Sequence, residues 1–295
     1  MNRPSFFIIG APKCGTTSLN EYLDQHPEIA MAPKEVHYFG SDLGIVREAQ
    51  TEEDYLKLFE GLQVKRLGEA SVWTFYSHSA SWEIKKFNPE AKILLLLRNP
   101  WDLIYSLHAQ HLYDADENEK DINQALERDL IREENKPTSW SKNFEVRPLL
   151  WKSLIFSEHL KRWKQDWGDQ LRVYLFQDLA ERPEDMYVEI CEWLEVDARF
   201  VPDFERHNQR KQIRSAGLQA LIDRPDPKLK RLVRKVIPSK RIRHEIISKA
   251  KEANQSTRAQ EQGLSLENQM SLSTILSEEI ERVEKLLGRD LSHWS

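Results

Sequence analysis

The sequence predicts an α/β chain: a central, mostly parallel sheet flanked by helices, followed by a helical C-terminal region. Two local observations lead there. Short apolar runs end in loops that open helices, and the strongest run, Ala91 to Leu97, is apolar through its centre without alternation, as a strand covered on both faces must be. The third observation is size. The chain has 295 residues, 40% of them hydrophobic and 31% charged, enough for one large core and unlike a disordered or low-complexity composition.

Taken in order, Ser5 to Gly10 is an apolar run ending in glycine and reads as the first strand. Thr16 or Thr17 can cap the helix that follows, with Leu19, Tyr22 and Leu23 at helical spacing before His26-Pro27 closes it. Lys65 to Glu69 reads as the second strand and Ala91 to Leu97 as the third. Asn99-Pro100 supplies the cap and first position of a helix carrying Trp101, Ile104, Tyr105 and His108. Asp114 to Glu134 is acidic and helical in pattern, a surface excursion. Leu149 to Trp167 reads as one long amphipathic helix, Leu171 to Phe176 as the fourth strand and Pro183 to Leu194 as a further helix. Beyond Pro202, the prolines 225, 227 and 238 break basic helical pieces before a last amphipathic helix near Leu272 to Leu287, and there is no strand signal. One domain spans 1–295, with an α/β core over about 1–200 and a basic helical region over about 201–295.

Several classes are excluded. The longest aliphatic run, Ile93 to Leu97, is far short of the roughly 20 residues a transmembrane helix needs. Phe6 to Ile9 is too short for a secretory segment, so a cytoplasmic protein is expected. Two cysteines, Cys14 and Cys191, form neither a disulfide framework nor a zinc site, and no metal is expected. The net charge of −5 argues against nucleic acid as a partner. The charge is uneven, however: Arg206 to Glu252 carries 15 Lys or Arg against four acidic residues. That segment can dock an acidic carrier protein or a polyanion, or be only a solvated helical face.

Between the first strand and first helix, Gly10-Ala-Pro-Lys-Cys-Gly-Thr-Thr-Ser18 gathers backbone N–H groups and the positive end of a helix at one point. Gly15 lets the backbone approach an anion, Lys13 adds a positive charge, and Thr16, Thr17 and Ser18 add hydroxyls. A plain glycine turn explains neither the lysine nor the three hydroxyls. A Walker loop places its lysine after the second glycine; here Thr16 stands there and the lysine has moved to position 13. Leu97 is followed by Arg98 and Asn99 rather than by a magnesium-holding carboxylate, which disfavours a P-loop nucleotide hydrolase or kinase.

At this point the motifs resemble a family. Pro12-Lys-Cys-Gly-Thr-Thr-Ser-Leu19 is similar to the 5′-phosphosulfate loop of sulfotransferases that use PAPS (3′-phosphoadenosine 5′-phosphosulfate), and Leu97-Arg-Asn-Pro100 followed by Ser106 is similar to their 3′-phosphate motif. Lys34-Glu-Val-His-Tyr-Phe39 and Gly68-Glu-Ala-Ser71 look most like the branch holding the heparan sulfate sulfotransferases and many bacterial sulfotransferases. The resemblance implies a P-loop NTPase-like three-layer fold, PAPS as donor with PAP as product, and donor contacts from Lys13, Cys14, Gly15, Thr16, Thr17, Ser18, Arg98 and Ser106. It also implies Glu35 as the base that deprotonates an acceptor hydroxyl on a small molecule, a glycan or a carrier-bound group, without metal.

The residues themselves are consistent with these roles. Lys13 suits neutralisation of sulfuryl and phosphate oxygens. Arg98 leaves a strand end and Ser106 lies two turns into the next helix, so both can meet one phosphate. Glu35 and His37 occupy alternate positions of an expected extended segment, which would place them on one face, one to act and one to orient. His108 and His111, at i,i+3 on one helix face, compete as base or acceptor contacts, against a reading as ordinary polar positions of an amphipathic helix. Ser71 is a further acceptor-side candidate. Arg214 and Ser215, ahead of Gly217, are candidates for a loop closing over the 3′-phosphate. The non-catalytic alternative is a protein that binds an anion or acidic partner and transfers nothing.

Overall fold

The structure, a computed structural model, describes residues 3–45, 47–114, 116–135, 151–204, 212–213, 255–256 and 263–294. It divides into two compact units, one of residues 1–103, 137–208 and 273–295 and one of residues 104–136 and 209–272.

The first unit holds the expected parallel sheet. Its strands are β1 (Phe6–Gly10), β2 (Ile29–Met31), β3 (Arg66–Ala70), β4 (Lys92–Leu97) and β5 (Leu171–Leu175), in the order β2-β3-β1-β4-β5. Every pairing is parallel, with Phe6 opposite both Gly68 and Lys92. Ile93 through Leu97 are fully buried, as the uninterrupted apolar run requires, and β1 is buried along its whole length. Because β1, β3 and β4 are parallel neighbours, their carboxyl ends open at the same edge of the sheet. That edge is where ligands of open α/β sheets bind, and here the chain places the Gly10 loop, Ser71 and Arg98 there.

Helices α1 (Thr16–Asp24), α2 (Glu52–Lys57), α3 (Ala80–Phe87) and α4 (Pro100–Tyr113) follow the early strands. The Asn99 side chain accepts the Trp101 N–H at 2.9 Å, so the start of α4 is capped as the Asn-Pro pair implies. Helix α1 differs: Gly15, not a threonine, is its cap residue, and Thr16 and Thr17 are its first helical residues.

Other expectations are corrected. After α5 (Ile122–Asn135), the helix expected from Leu149 starts only at Ser157: α6 runs Ser157–Trp167 behind a 3-10 turn at Lys152–Leu154. The Glu279 carboxylate sets that start, accepting the N–H groups of Phe156 and Ser157 at 2.7 and 2.5 Å and the Ser157 hydroxyl at 2.7 Å. Strand β5 ends at Leu175 because the Asp178 carboxylate takes the Leu175 N–H, opening a short helix α7 (Phe176–Glu181) ahead of α8 (Pro183–Leu194). Strand β2 has three residues, too few to set a periodicity. The last helix, α9, is longer than expected, at Leu266–Leu287.

In the second unit two short strands pair antiparallel beyond Pro202, β6 (Gln212–Ile213) and β7 (Gln255–Ser256), where none was expected. The acidic segment is more than a surface excursion. Ile122, Ala125 and Leu126 of α5 are buried, and so are Glu117 and Asp129. Glu117 stays inside because its carboxylate accepts the N–H groups of Asn118 and Glu119 at 2.7 and 2.9 Å and pairs with Arg128 at 3.2 Å.

Candidate active site

The loop between β1 and α1 is shaped by its backbone. Gly10 has φ +147° and Gly15 φ +90°. A Cβ on Gly10 would lie 2.6 Å from the Val72 backbone carbonyl, and one on Gly15 would be strained by the left-handed φ and lie 2.6 Å from the Leu179 side-chain end, so both places favour glycine. The Ala11 N–H donates to the Leu96 carbonyl at 2.7 Å, tying the loop to the end of β4. The cap residue of α1, Gly15, has no side chain to cap it, and the first-turn N–H groups of a helix have no partner within it, so this end is suited to an anion. Cys14 is fully buried beneath the loop. Its N–H donates to Ala11 at 3.3 Å and its thiol points to the Pro12 carbonyl at 3.5 Å. Burial, outweighing the nearby Arg98 charge, pushes the thiol up to about 12, so it stays protonated at neutral pH. The Arg98 guanidinium lies 4.5 Å above the Phe176 ring, 3.4 Å from the Lys13 carbonyl and 3.9 Å from the Asp102 carboxylate. It is thereby fixed on the flank of the loop.

Beside the loop stands a turn whose form the sequence reading missed. The segment carrying Glu35 and His37 is not extended: Lys34 and Glu35 form a turn, with left-handed φ of +64° at Glu35 and +51° at His37. Such conformations cost on the order of 1–3 kcal/mol each in a residue with a side chain. Bonds to β3, to Ser71 just after it and to Glu48 hold them in place. Glu35 N–H donates to the Ala70 carbonyl at 2.9 Å, His37 N–H to Ser71 Oγ at 2.9 Å, and Glu48 N–H to the Val36 carbonyl at 3.1 Å.

The two side chains nevertheless meet. Glu35 Oε2 accepts the Val72 N–H at 3.1 Å and lies 3.2 Å from His37 Nε2, while Oε1 is 3.6 Å from the Lys34 ammonium. Burial lowers His37 to about 4, so its ring is neutral at pH 7. A neutral ring against a carboxylate carries its proton on Nε2, which assigns the tautomer; the buried Nδ1 has no hydrogen-bond partner among the described residues. Burial raises Glu35 as well, against the pull of Lys34 and the Val72 N–H. A carboxylate with raised proton affinity, oriented by two donors, is suited to general-base work.

Two residues of this cluster had been given no role. Lys34 Nζ donates to Thr16 Oγ1 at 3.3 Å and, by a short bond, to Thr17 Oγ1, so one ammonium links the loop hydroxyls with Glu35. Glu69 is buried on β3 and accepts a short hydrogen bond from Ser71 Oγ. Burial, partly offset by that bond and reinforced by the Glu35 charge, raises Glu69 to about 7. A charged residue inside an otherwise buried parallel strand was the available signal for Glu69, and a lysine directly before the nominated base was the signal for Lys34.

The structure thus brings together Lys13, Cys14, Gly15, Thr16, Thr17, Ser18, Glu35, His37, Ser71 and Arg98 in the first unit. Ser106, His108 and His111 lie on the part of α4 that belongs to the second unit, all buried. His108 Nε2 is 2.8 Å from the Glu119 carbonyl, and the His111 carbonyl accepts the N–H groups of Asp116 and Glu117 at 2.9 and 3.0 Å. These two histidines tie down the connection from α4 to α5. Arg214, Ser215 and nearly all of the basic stretch 206–252 lie outside the described residues. Among the described residues no three His, Cys, Asp or Glu side chains are grouped as metal ligands, and no helix is long and apolar enough to cross a membrane.

Comparison with known proteins shows what the chain is similar to. The sulfotransferase domain family matches residues 3–220. Carbohydrate sulfotransferase 15 of Rattus norvegicus is 37% identical over 159 residues, covering 39% of this chain and 28% of the relative. Heparan sulfate glucosamine 3-O-sulfotransferase 5 of Mus musculus is 26% identical over 160 residues, covering 54% of this chain and 44% of the relative. The chain therefore spans less than half the length of these two relatives. A crystal structure of a sulfotransferase from Alicyclobacillus acidocaldarius superposes over 100% of this chain and 99% of its own, at 25% identity and a TM-score of 0.68.

Proposed function

Since the chain belongs to the sulfotransferase domain family, we propose that it moves the sulfuryl group of PAPS to a hydroxyl of a glycan or small-molecule acceptor, with Glu35 as general base and no metal. The observation that carries this reading is the continuous set of contacts from the loop hydroxyls of Thr16 and Thr17 through Lys34 to the Glu35 carboxylate. It joins an anion site to a base.

The residues present fit a polyanionic nucleotide: a helix start capped by glycine, three hydroxyls, Lys13 and a fixed guanidinium. The loop and Lys13 would hold the 5′ end, and Arg98 is assigned to the 3′-phosphate. PAPS, when bound, supplies a sulfur whose bond to the phosphate oxygen breaks as one to the acceptor oxygen forms, the electron pair staying on the phosphate. Glu35 accepts the acceptor proton. The His37 Nε2–H and the Val72 N–H keep the carboxylate aimed, and Lys13 stabilises charge on the departing phosphate.

The test is transfer of radiolabelled sulfate from PAPS to a panel of glycan and small-molecule hydroxyls, with EDTA present. Transfer is expected to survive EDTA and to fall on the order of 100- to 1,000-fold in Lys13→Ala. Full activity in Lys13→Ala contradicts the mechanism, and magnesium-dependent ATP turnover without sulfate transfer replaces it with a nucleotide hydrolase.

A further inference from the structure

Lys34 is the cation that the proposed mechanism does not yet use. An ammonium has three N–H donors. Those of Lys34 are directed at Thr16 Oγ1, Thr17 Oγ1 and, at 3.6 Å, Glu35 Oε1. A hydroxyl that accepts from an ammonium turns its own O–H elsewhere, so both threonines keep a donor for an anion on the loop. An anion held by those hydroxyls therefore sits one bond from the Lys34 charge.

The surroundings of the ammonium point the same way. Its charged neighbours are Glu35, on its own turn, and Glu21, on α1; Glu69 acts on Glu35 from β3. Burial lowers its proton affinity, against the pull of Glu35, which leaves a partly desolvated cation that gains from another anionic partner. A lysine that only held the turn in place would be satisfied by Glu35 alone, without reaching two residues of the anion loop.

We propose that Lys34 is a donor-binding residue, the second lysine of the phosphosulfate site, and that it links occupation of the loop to the base beside it. This assignment rests on the sulfotransferase reading above. Lys13 belongs to the loop itself, whereas Lys34 reaches it from the turn after β2, so the two lysines approach a bound phosphosulfate from separate chain segments.

Titration calorimetry of the full chain with PAP, the desulfated nucleotide, tests this without needing the acceptor. Lys34→Met keeps the length of the side chain and removes the charge; Lys34→Arg keeps the charge. Loss of a charge-assisted contact predicts PAP binding weaker by on the order of 10- to 100-fold in Lys34→Met, with a shallower salt dependence. Lys34→Arg is expected to recover part of the loss. If Lys34→Met does not fold, Lys34→Gln is expected to show the same loss. A purely structural lysine would leave PAP affinity within about twofold of wild type in the charge-removing variant. That result overturns the proposal while leaving the sulfotransferase reading intact. A wild-type chain that does not bind PAP overturns both.

Discussion

The anion loop and the base turn both sit at the carboxyl edge of the sheet, but different forces shape them. From Gly10 to Thr17 the backbone turns on two glycines and on Lys13, itself left-handed at φ +63°, and runs straight into a helix, with one long-range tie from the Ala11 N–H to Leu96. From Lys34 to His37 its path follows from partners far along the chain: the Ser71 hydroxyl and the Val72 N–H lie 34 and 37 residues from the groups they hold. A site made of backbone can be read from local sequence. One whose left-handed residues include no glycine and are held by distant hydrogen bonds cannot, and such strain persists only where surrounding contacts over-determine it.

The comparison can be broken most sharply at Glu35. Glu35→Gln keeps the shape and the Val72 bond but removes the base. Turnover is expected to fall on the order of 100- to 10,000-fold, as for loss of a general base, while PAP affinity measured by calorimetry is not weakened, because Lys34 keeps its contacts to the loop hydroxyls. Equal loss of binding and turnover would mean the two regions are not separable.

Gly15→Ala attacks the other side. A Cβ there sits in a left-handed conformation and lies 2.6 Å from the end of the Leu179 side chain and 3.1 Å from the Phe176 ring, so the loop is strained and its packing must give. PAP binding should weaken strongly, with a stability loss of about 1–3 kcal/mol by thermal or denaturant unfolding. Unchanged PAP affinity would show that the loop backbone is not the anion site.

The smallest effect is a pH dependence at Glu69. Its folded value of about 7 lies above the model-compound 4.5, so between these values the folded chain binds the extra proton. The wild-type chain is not penalised below about 4.5 and loses stability as pH rises through 7. Glu69→Gln should lack this decline, changing the stability difference between pH 5 and pH 8 by about 1–3 kcal/mol in denaturant titrations. Parallel curves for the two proteins would mean Glu69 ionises normally.

Much of the sheet was legible because its signals are local. The all-apolar β4, the Asn-Pro helix start and the glycine-ended β1 each declare themselves within ten residues. The early start assigned to α6 failed because the acceptor that begins the helix, Glu279, lies 122 or more residues away. The same distinction runs through the site. Lys13, Gly15 and the hydroxyls stand in one motif beside an obvious strand. Glu35 and His37 were nominated for an extended geometry the chain does not adopt, and they meet instead through paired left-handed residues. Lys34 and Glu69 carry their chemistry only once β2 and β3 are side by side, since Glu35 bonds to Ala70 and His37 to Ser71 across that junction.

The most direct measurement of the central claim is calorimetric binding of PAP against adenosine monophosphate, in the wild-type chain and in Arg98→Ala. A site gripping a 3′-phosphoadenosine nucleotide at both ends predicts PAP tighter by on the order of 10- to 100-fold, with most of that preference gone in Arg98→Ala. Equal affinity of the wild-type chain for the two nucleotides would contradict it.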